Sequence, residues 1–292
     1  QSANSMTAQA DPKPGYLYIV GTPLGNLEDM TFRAVRILQN VDLIAAEDTR
    51  HTAKLLQHFQ ITTPQISYHT HNRQQRHDEL LHHLQVQQHS VALVSDAGMP
   101  GISDPGYELI SACIEAGVSV IPIPGPTAAI TALCVSGLPT DNFVFEGFLP
   151  LKDSSRKERL TLLQQEQRTI ILYEAPHRLL KTLGDLSATL DPDRKIALGR
   201  ELTKRFEEYW YGTLEAALTH YEENPPKGEF TLVIQGCEPI GPVLSEDALK
   251  AELQTLMASG LSRSDASRHL AKATGKPKKE IYQLSLAMKS EE

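Results

Sequence analysis

The stretch Ser95-Asp-Ala-Gly-Met-Pro-Gly-Ile-Ser-Asp-Pro-Gly106 directly follows an apolar run, Val91-Ala-Leu-Val94. Its glycines and prolines break both helix and strand, so the chain must leave a sheet here through a loop. A second loop, Ile121-Pro-Ile-Pro-Gly-Pro126, comes within one α/β unit and opens into the helical run Thr127-Ala-Ala-Ile-Thr-Ala-Leu133. Glycine lacks a Cβ and proline fixes φ, so two stiff loops can bring backbone N–H and C=O groups close to a ligand. Pro126 suits the first helical turn, where its missing donor costs nothing. In open α/β sheets ligands bind at the carboxyl ends of strands, and a small organic molecule is expected there. The first turn argues against a ligand held by its phosphates. Tyr16-Leu-Tyr-Ile-Val20 runs into Gly21-Thr-Pro-Leu-Gly-Asn-Leu27, which is neither G-x-G-x-x-G nor a P-loop. Pro23 also removes a backbone donor that a phosphate cradle would use.

Strand-like runs at 16–20, 43–46, 65–68, 91–94 and 118–121 alternate with helical periodicity, as in residues 78–84 and 107–113. Such alternation implies a mostly parallel sheet covered by helices. The helix from Pro126 is expected to end at Gly137, with Leu138-Pro-Thr140 as a hinge. Beyond it, strands at 143–145, 169–173, 195–198, 208–211 and 230–234 are separated by short links, which predicts a mixed sheet with antiparallel pairs. Residues 236–242 read as a linker, and the chain is helical from Ser245. Residues 262–275, then Pro277 and 281–286, give helix, glycine stop, proline start, helix: a helix-turn-helix or a plain helical hairpin. The fold class is therefore α/β, with an N-terminal tail over 1–14, an α/β domain over 15–137, a mixed-sheet α/β domain over 138–236 and a helical segment over 237–292.

A length of 292 residues fits roughly two domains, and 40% hydrophobic with 22% charged residues is ordinary for a soluble globular protein. No apolar run approaches the roughly 20 residues needed to span a bilayer. Cys113, Cys134 and Cys237 are odd in number and far apart, which suits a reducing cytoplasm and no zinc ribbon. The histidines, among them His51, His58, His69, His71, His77, His82, His83 and His89, match no metal-ligand spacing, so no metal is expected. A net charge of −8 argues against general affinity for nucleic acid. Two basic groups stand out, Arg263, Arg268, Lys272, Lys276, Lys278 and Lys279 against Asp265 alone, and Lys152, Arg156, Lys157 and Arg159. Composition by itself favours solvated helix faces for both.

Gly21-Thr-Pro-Leu-Gly-Asn-Leu27, Ala46-Glu-Asp-Thr-Arg50, the 95–106 loop, Pro124-Gly-Pro126, Glu146-Gly-Phe-Leu-Pro150, Tyr173-Glu-Ala-Pro-His-Arg178, Arg200-Glu-Leu-Thr-Lys204 and Gly228-Glu229 occur in that order. Together they resemble the ribosomal RNA small-subunit methyltransferase I family, a branch of the tetrapyrrole-methylase (class III) methyltransferases. The resemblance runs from Tyr16 through the C-terminus and departs at Met99, where a small Thr is expected. It implies two α/β domains of the tetrapyrrole-methylase type with a cofactor cleft between them, and S-adenosylmethionine as cofactor. It also implies a cytoplasmic homodimer acting on the small ribosomal subunit, at the ribose 2′-hydroxyl of a cytidine in the decoding region of 16S RNA. Methylation of a tetrapyrrole such as a corrin precursor is the alternative within the superfamily, and a non-catalytic ribosome-assembly factor the alternative outside it.

Under this resemblance the expected pocket residues are Leu24, Ser95, Asp96, Ala97, Gly98, Ile102, Thr127, Ala128 and Tyr173, closed by Gly228, Glu229 and Thr231. A carboxylate tight against the sulfonium would stabilise the ground state more than the transition state, and backbone carbonyls of Pro-Gly loops are milder partners. Glu47, Asp48, Arg50, His71 and Glu174 are the candidate catalytic residues, with His69 and Asn72 nearby. Glu47 and Asp48 look like a carboxylate pair, but neighbours on an extended strand point opposite ways, so one is expected to be structural. Arg50 grips a phosphate or fixes Asp48; His71 is a base or a helix cap. Arg178, Lys204, Arg263, Arg268, Lys272, Lys278 and Lys279 are the expected RNA contacts, and Trp210 is expected in the core.

Overall fold

The computed structural model describes residues 12–238, 245–274 and 276–288, the side chains of Arg73 and Lys272 apart. The expected tail up to residue 11, residues 239–242 of the expected linker, and Gly275 lie outside these residues. Strands β1 (Leu17–Val20), β2 (Leu43–Ala46) and β4 (Val91–Val94) bury every side chain, as apolar strands of a parallel sheet covered on both faces do. With β3 (Gln65–Ser67) and β5 (Val120–Ile123) they form an all-parallel sheet in the order β3-β2-β4-β1-β5. Helices α1 (Phe32–Asn40) and α2 (Thr49–His58) bury Ile37, Leu38 and Leu56 with Ile44 and Val94. Helices α3 (Arg73–Gln85) and α4 (Tyr107–Glu115) bury Leu80, Leu84, Leu109 and Cys113 with Leu17 and Leu93.

Two of the differences from the sequence reading have a local physical reason. Strand β5 lies two residues later than expected, at the cost of including Pro122. It pairs only with β1, and at an edge strand a proline withholds no ladder hydrogen bond from a second neighbour. Pro126 is not in the first turn of α5 (Ala128–Val135): Thr127 is the N-cap, its hydroxyl accepting from the Ile130 N–H at 3.2 Å.

The second sheet contains β6 (Phe143–Gly147), β7 (Thr169–Glu174), β8 (Lys195–Arg200), β9 (Glu208–Thr213) and β10 (Phe230–Ile234), ordered β6-β7-β10-β8-β9. Only β6 and β7 are parallel; the other pairs are antiparallel. Helices α6 (Asp153–Gln164), α7 (Pro176–Thr189) and α8 (Leu214–Glu223) cover one face through Leu160, Leu183, Leu186 and Tyr221. On the other face Ala129, Ala132 and Leu133 of α5 bury against Ile171, Ala197 and Val233. Trp210 packs at the edge of the core, stacked on His220. Helix α5 thus follows the first sheet in sequence but completes the second.

Both sheets belong to one compact unit, which runs to Gln235 apart from Gln165–Gln167. Those three residues group with Gly236–Glu292 in a second unit. Its described helices are α9 (Glu246–Ala258), capped by Ser245, α10 (Arg263–Thr274) and α11 (Lys278–Ala287). They share a core of Leu249, Leu253, Ala266, Leu270 and Ile281. Among the described residues no helix is long and apolar enough to cross a membrane.

The loops after β1 and β5 pass so closely that a Cβ on Gly21 would lie 2.8 Å from Gly125 Cα, and one on Gly125 the same distance from Gly21 Cα. Gly21→Ala and Gly125→Ala are each expected to lower stability by about 1–3 kcal/mol, because two backbones would have to separate. Gly184, inside α7, has nothing within 4 Å of an added Cβ, so Gly184→Ala should gain up to about 1 kcal/mol of helix propensity. Urea unfolding of the three variants checks both signs.

Candidate functional site

All five strands of the first sheet are parallel, so their carboxyl ends and the loops that follow share one edge. Thr22 and Gly98 exchange backbone hydrogen bonds of 3.0 and 2.9 Å, stitching the loop after β1 to the loop after β4. The Thr22 hydroxyl also donates to the Ser95 carbonyl at 3.1 Å. At the same edge the Asp48 N–H donates to Asp96 Oδ1 (3.1 Å), and the Asp96 N–H to Glu47 Oε2 (3.3 Å). The loops after β1, β2 and β4 are therefore held as one surface.

A cavity of about 440 Å³ opens over this surface and is closed by the second sheet. Leu24, Ala97, Gly98, Met99 and Ile102 form its floor, together with Ser103 and Asp104. The N-terminal turn of α5, residues 127–130, contributes a wall. Opposite stand Phe143, Phe145, Phe148, Tyr173, Leu202 and Thr231, with Lys204 and Glu229 at the second sheet's loops. The Tyr173 hydroxyl accepts from the Ala129 N–H at 3.1 Å, joining β7 to α5, and burial pushes its pKa up. Phe145 and Phe148 meet the Tyr173 ring edge-on, at 4.9 and 5.8 Å between centroids.

Of the residues expected to form the pocket, Leu24, Ala97, Gly98, Ile102, Thr127, Ala128, Tyr173, Glu229 and Thr231 line this cavity. Ser95, Asp96 and Gly228 do not. Ser95 is buried, with its hydroxyl turned towards the carbonyls of Ala97 and Gly98. Asp96 ties the β2 and β4 loops as described. Gly228, at φ +79°, packs so tightly on Glu201 that no side chain fits.

Among the candidate catalytic residues only Glu174 lines the cavity. It is buried and fully engaged: Oε1 accepts from the Ala175 N–H (2.9 Å) and lies 3.4 Å from Arg178 Nε, while Oε2 accepts from the Thr182 hydroxyl (2.5 Å). Thr182 in turn accepts from Arg156 (2.9 Å), whose Nε binds Asp185 at 2.7 Å. Arg156, expected in a surface basic group, is thus 4% exposed and internal. Its neighbour Arg159 pairs with Glu146 at 3.2 Å.

Asp48 caps α2 and holds Arg50 through both carboxylate oxygens, at 2.8 and 3.1 Å. The Arg50 hydrogen bonds keep the Asp48 carboxyl far below its ordinary value. Arg50 therefore fixes Asp48. Burial raises the Glu47 pKa, partly offset by the Asp96 N–H. His71 caps nothing: the N-cap position of α3 is Asn72, which makes no side-chain cap, and the exposed His71 ring sits edge-on to His69. Asn72 instead pins the turn, accepting from the His69 N–H (2.8 Å) and donating to Ser67.

The expected RNA contacts are mostly engaged. Arg178 also donates to the Leu149 carbonyl at 2.8 Å. Lys204 lies in the cavity wall and bridges Glu201 (2.9 Å) and Glu229 (2.8 Å). Burial works to lower the Lys204 pKa, but these two carboxylates outweigh it and raise it. In the second unit Arg268 pairs with Asp265 (2.9 Å) and Lys278 donates to Ser264 (3.2 Å). Arg263 is half-buried, Lys279 is exposed, and the Lys272 side chain lies outside the described residues.

Several lining residues were not singled out from sequence. The alternation Phe143, Phe145 on β6 marks one strand face, and Ser103 and Asp104 belong to the loop that opened the sequence reading. Asp104 is half-buried, with a pKa raised to about 7, first by burial and then by Glu47, with Asp96 and Glu229 adding to it. Among the described residues there is no cluster of three or more potential metal ligands.

The profile of the tetrapyrrole (corrin/porphyrin) methylases matches residues 16–218. A Synechocystis sp. protein named ribosomal RNA small subunit methyltransferase I is 62% identical over 278 residues, covering 95% of this chain and 99% of that protein. Its Escherichia coli O157:H7 counterpart of the same name is 47% identical over 279 residues, covering 95% and 96%. Among solved structures, a Thermus thermophilus uroporphyrin-III C-methyltransferase complexed with S-adenosyl homocysteine shares the fold, with a TM-score of 0.53 at 18% identity over 75% of this chain and 96% of that one. The chain therefore belongs to the tetrapyrrole methylase family, in its ribosomal RNA small subunit methyltransferase I branch.

Proposed function

We infer that this chain is an S-adenosylmethionine-dependent methyltransferase acting on small-subunit ribosomal RNA, at the 2′-hydroxyl of a cytidine in the decoding region. The observation that carries the reading is near full-length likeness to enzymes of that name, combined with a cavity lined by the loops at the carboxyl ends of the parallel sheet. The cavity suits the cofactor. Its volume lies within the roughly 300–1,000 Å³ usual for small-molecule sites. Aromatic and aliphatic side chains suit the adenine, and the loop backbones at Ala97 and Gly98 and the Thr127 turn offer polar edges. When bound, S-adenosylmethionine supplies an electrophilic methyl group on a sulfonium.

The chain's own residues do the rest. Leu24, Ile102, Phe145 and Tyr173 give the cavity an apolar lining. The stitched loops fix positions, and holding the acceptor alcohol in line supplies most of the acceleration, because such an alcohol is not ionised beforehand. Of the adjacent carboxylates, Asp48 is held by Arg50 and Glu47 accepts the Asp96 N–H, so both serve to position the loops after β2 and β4. Glu174 supports the cavity through its ion pair with Arg178. The enzyme acts in the cytoplasm on the assembled subunit, as a homodimer. Tetrapyrrole methylation is the weaker reading, since likeness to those enzymes is confined to fold-level identity.

Labelled methyl transfer from S-adenosylmethionine to small subunits lacking the modification should yield 2′-O-methylcytidine at one site by mass spectrometry; no transfer despite cofactor binding discards the RNA assignment. Glu174→Gln and Arg178→Ala should each lose about 1–3 kcal/mol in urea unfolding, since each strands a buried polar partner. The double variant should lose less than the sum. A Glu174→Gln protein of full stability that transfers no methyl would instead put Glu174 in the chemistry.

A further inference from the structure

Three acidic side chains and one basic side chain line the cavity: Asp104, Glu174, Glu229 and Lys204. Glu174 is neutralised by Arg178, and Glu229 by Lys204. Asp104 alone of the lining carboxyls has no cationic partner among the described residues; the group that favours its charge is the neutral Ser95 hydroxyl. It does not sit there by relaxation of a free loop. Its neighbour Ser103 holds φ +61°, a left-handed conformation costly for a side-chain-bearing residue, and a Cβ on Gly147 would come within 3.0 Å of Ser103 Oγ. The wall across the cavity carries the rings of Phe145, Phe148 and Tyr173, whose faces attract cations. An unpaired carboxyl and an aromatic wall sharing one cavity are complementary to a positively charged ligand.

Apart from Ser95, the groups around Asp104 disfavour its charge. Glu47 approaches from the end of β2, Asp96 from the loop after β4, and Glu229 from the start of β10. Tyr173 on β7 is close enough for its own ionisation to be opposed by Asp104. Lys204 is committed to Glu201 and Glu229. A ligand bearing positive charge would reverse that balance, whereas a neutral ligand of the same shape would leave it unchanged.

We propose that Asp104 is the residue by which the cavity tells the sulfonium cofactor from the neutral thioether left after transfer, its carboxyl releasing a proton to solvent when the cation binds and taking one back when only product remains. The proposal rests on the cofactor reading above. It makes the cavity bind the reactive, cationic ligand more tightly than the spent one, the carboxyl carrying its charge while the cation is bound. The sign follows from linkage: binding that favours the carboxylate strengthens as pH rises and levels off above about 7, where the free protein has already lost the proton.

Isothermal titration calorimetry of the full chain with S-adenosylmethionine and with S-adenosylhomocysteine, across about pH 5.5 to 8, reads this directly, because a tenfold change in affinity accompanies each pKa difference of about one between free and bound states. The ratio of the two affinities is expected to rise about tenfold over that range. Repeating the titrations near neutral pH in buffers of different ionisation heat should show proton release with the sulfonium ligand only. Asp104→Asn should abolish that release and flatten the ratio. Equal pH dependence for both ligands in the wild-type chain would overturn the proposal, as would proton release that survives in Asp104→Asn. Failure of either ligand to bind at any pH would instead overturn the cofactor reading, and this proposal with it.

Discussion

Everything in the site depends on two backbones passing at contact distance. Gly21 follows β1 and Gly125 follows β5, the neighbouring strand, and neither tolerates a Cβ against the other. That crossing brings the loop after β5, and with it the start of α5, down onto the loop after β1. The Thr22–Gly98 exchange then adds the loop after β4. Because α5 packs on the second sheet, the same crossing also sets where that sheet sits over the first. A local close approach thus fixes the separation of floor and roof, which is the dimension a bound ligand reads.

The second constraint is electrostatic. Arg156, Thr182, Glu174 and Arg178 form a chain of buried or half-buried polar groups from α6 through α7 to the end of β7, with Asp185 at its outer end. Removing charges from water is costly, and such a network holds only when every member is satisfied. Here each is. The network anchors the strand end from which Tyr173 reaches α5, so residues that resemble acid–base machinery serve to hold an aromatic wall in place.

The strands were largely legible in the sequence because strands covered on both faces must be apolar throughout, and residues 43–46, 91–94 and 230–234 match the observed elements end to end. Misreadings arose where tertiary context overrode local chemistry. Pro122 is acceptable in β5 only because that strand lies at an edge. Arg156 sits among lysines and serines that read as a solvated face, yet it is the residue whose partners lie 26 and 29 positions away. Asp104 was hidden for the converse reason: its loop was recognised, but which of its carboxyls faces the cavity depends on Ser103 adopting a left-handed turn that sequence does not announce.

Charge balance bears on how RNA is recognised. The chain carries a net charge of −8, and Arg178, Lys204 and Arg268, three of the expected phosphate contacts, already have carboxylate partners. A paired cation gains little from a phosphate, because it must give up one anion to take another. Few phosphates would then be neutralised, and few counterions released, on binding. Affinity built that way has to come from elsewhere: from the shape of folded ribosomal RNA, which displays single-stranded bases for stacking and edge contacts. The same acidity that weakens attraction for a polyanion favours a cationic cofactor in the cavity, so the protein's charge distribution serves its small ligand at the expense of its large one.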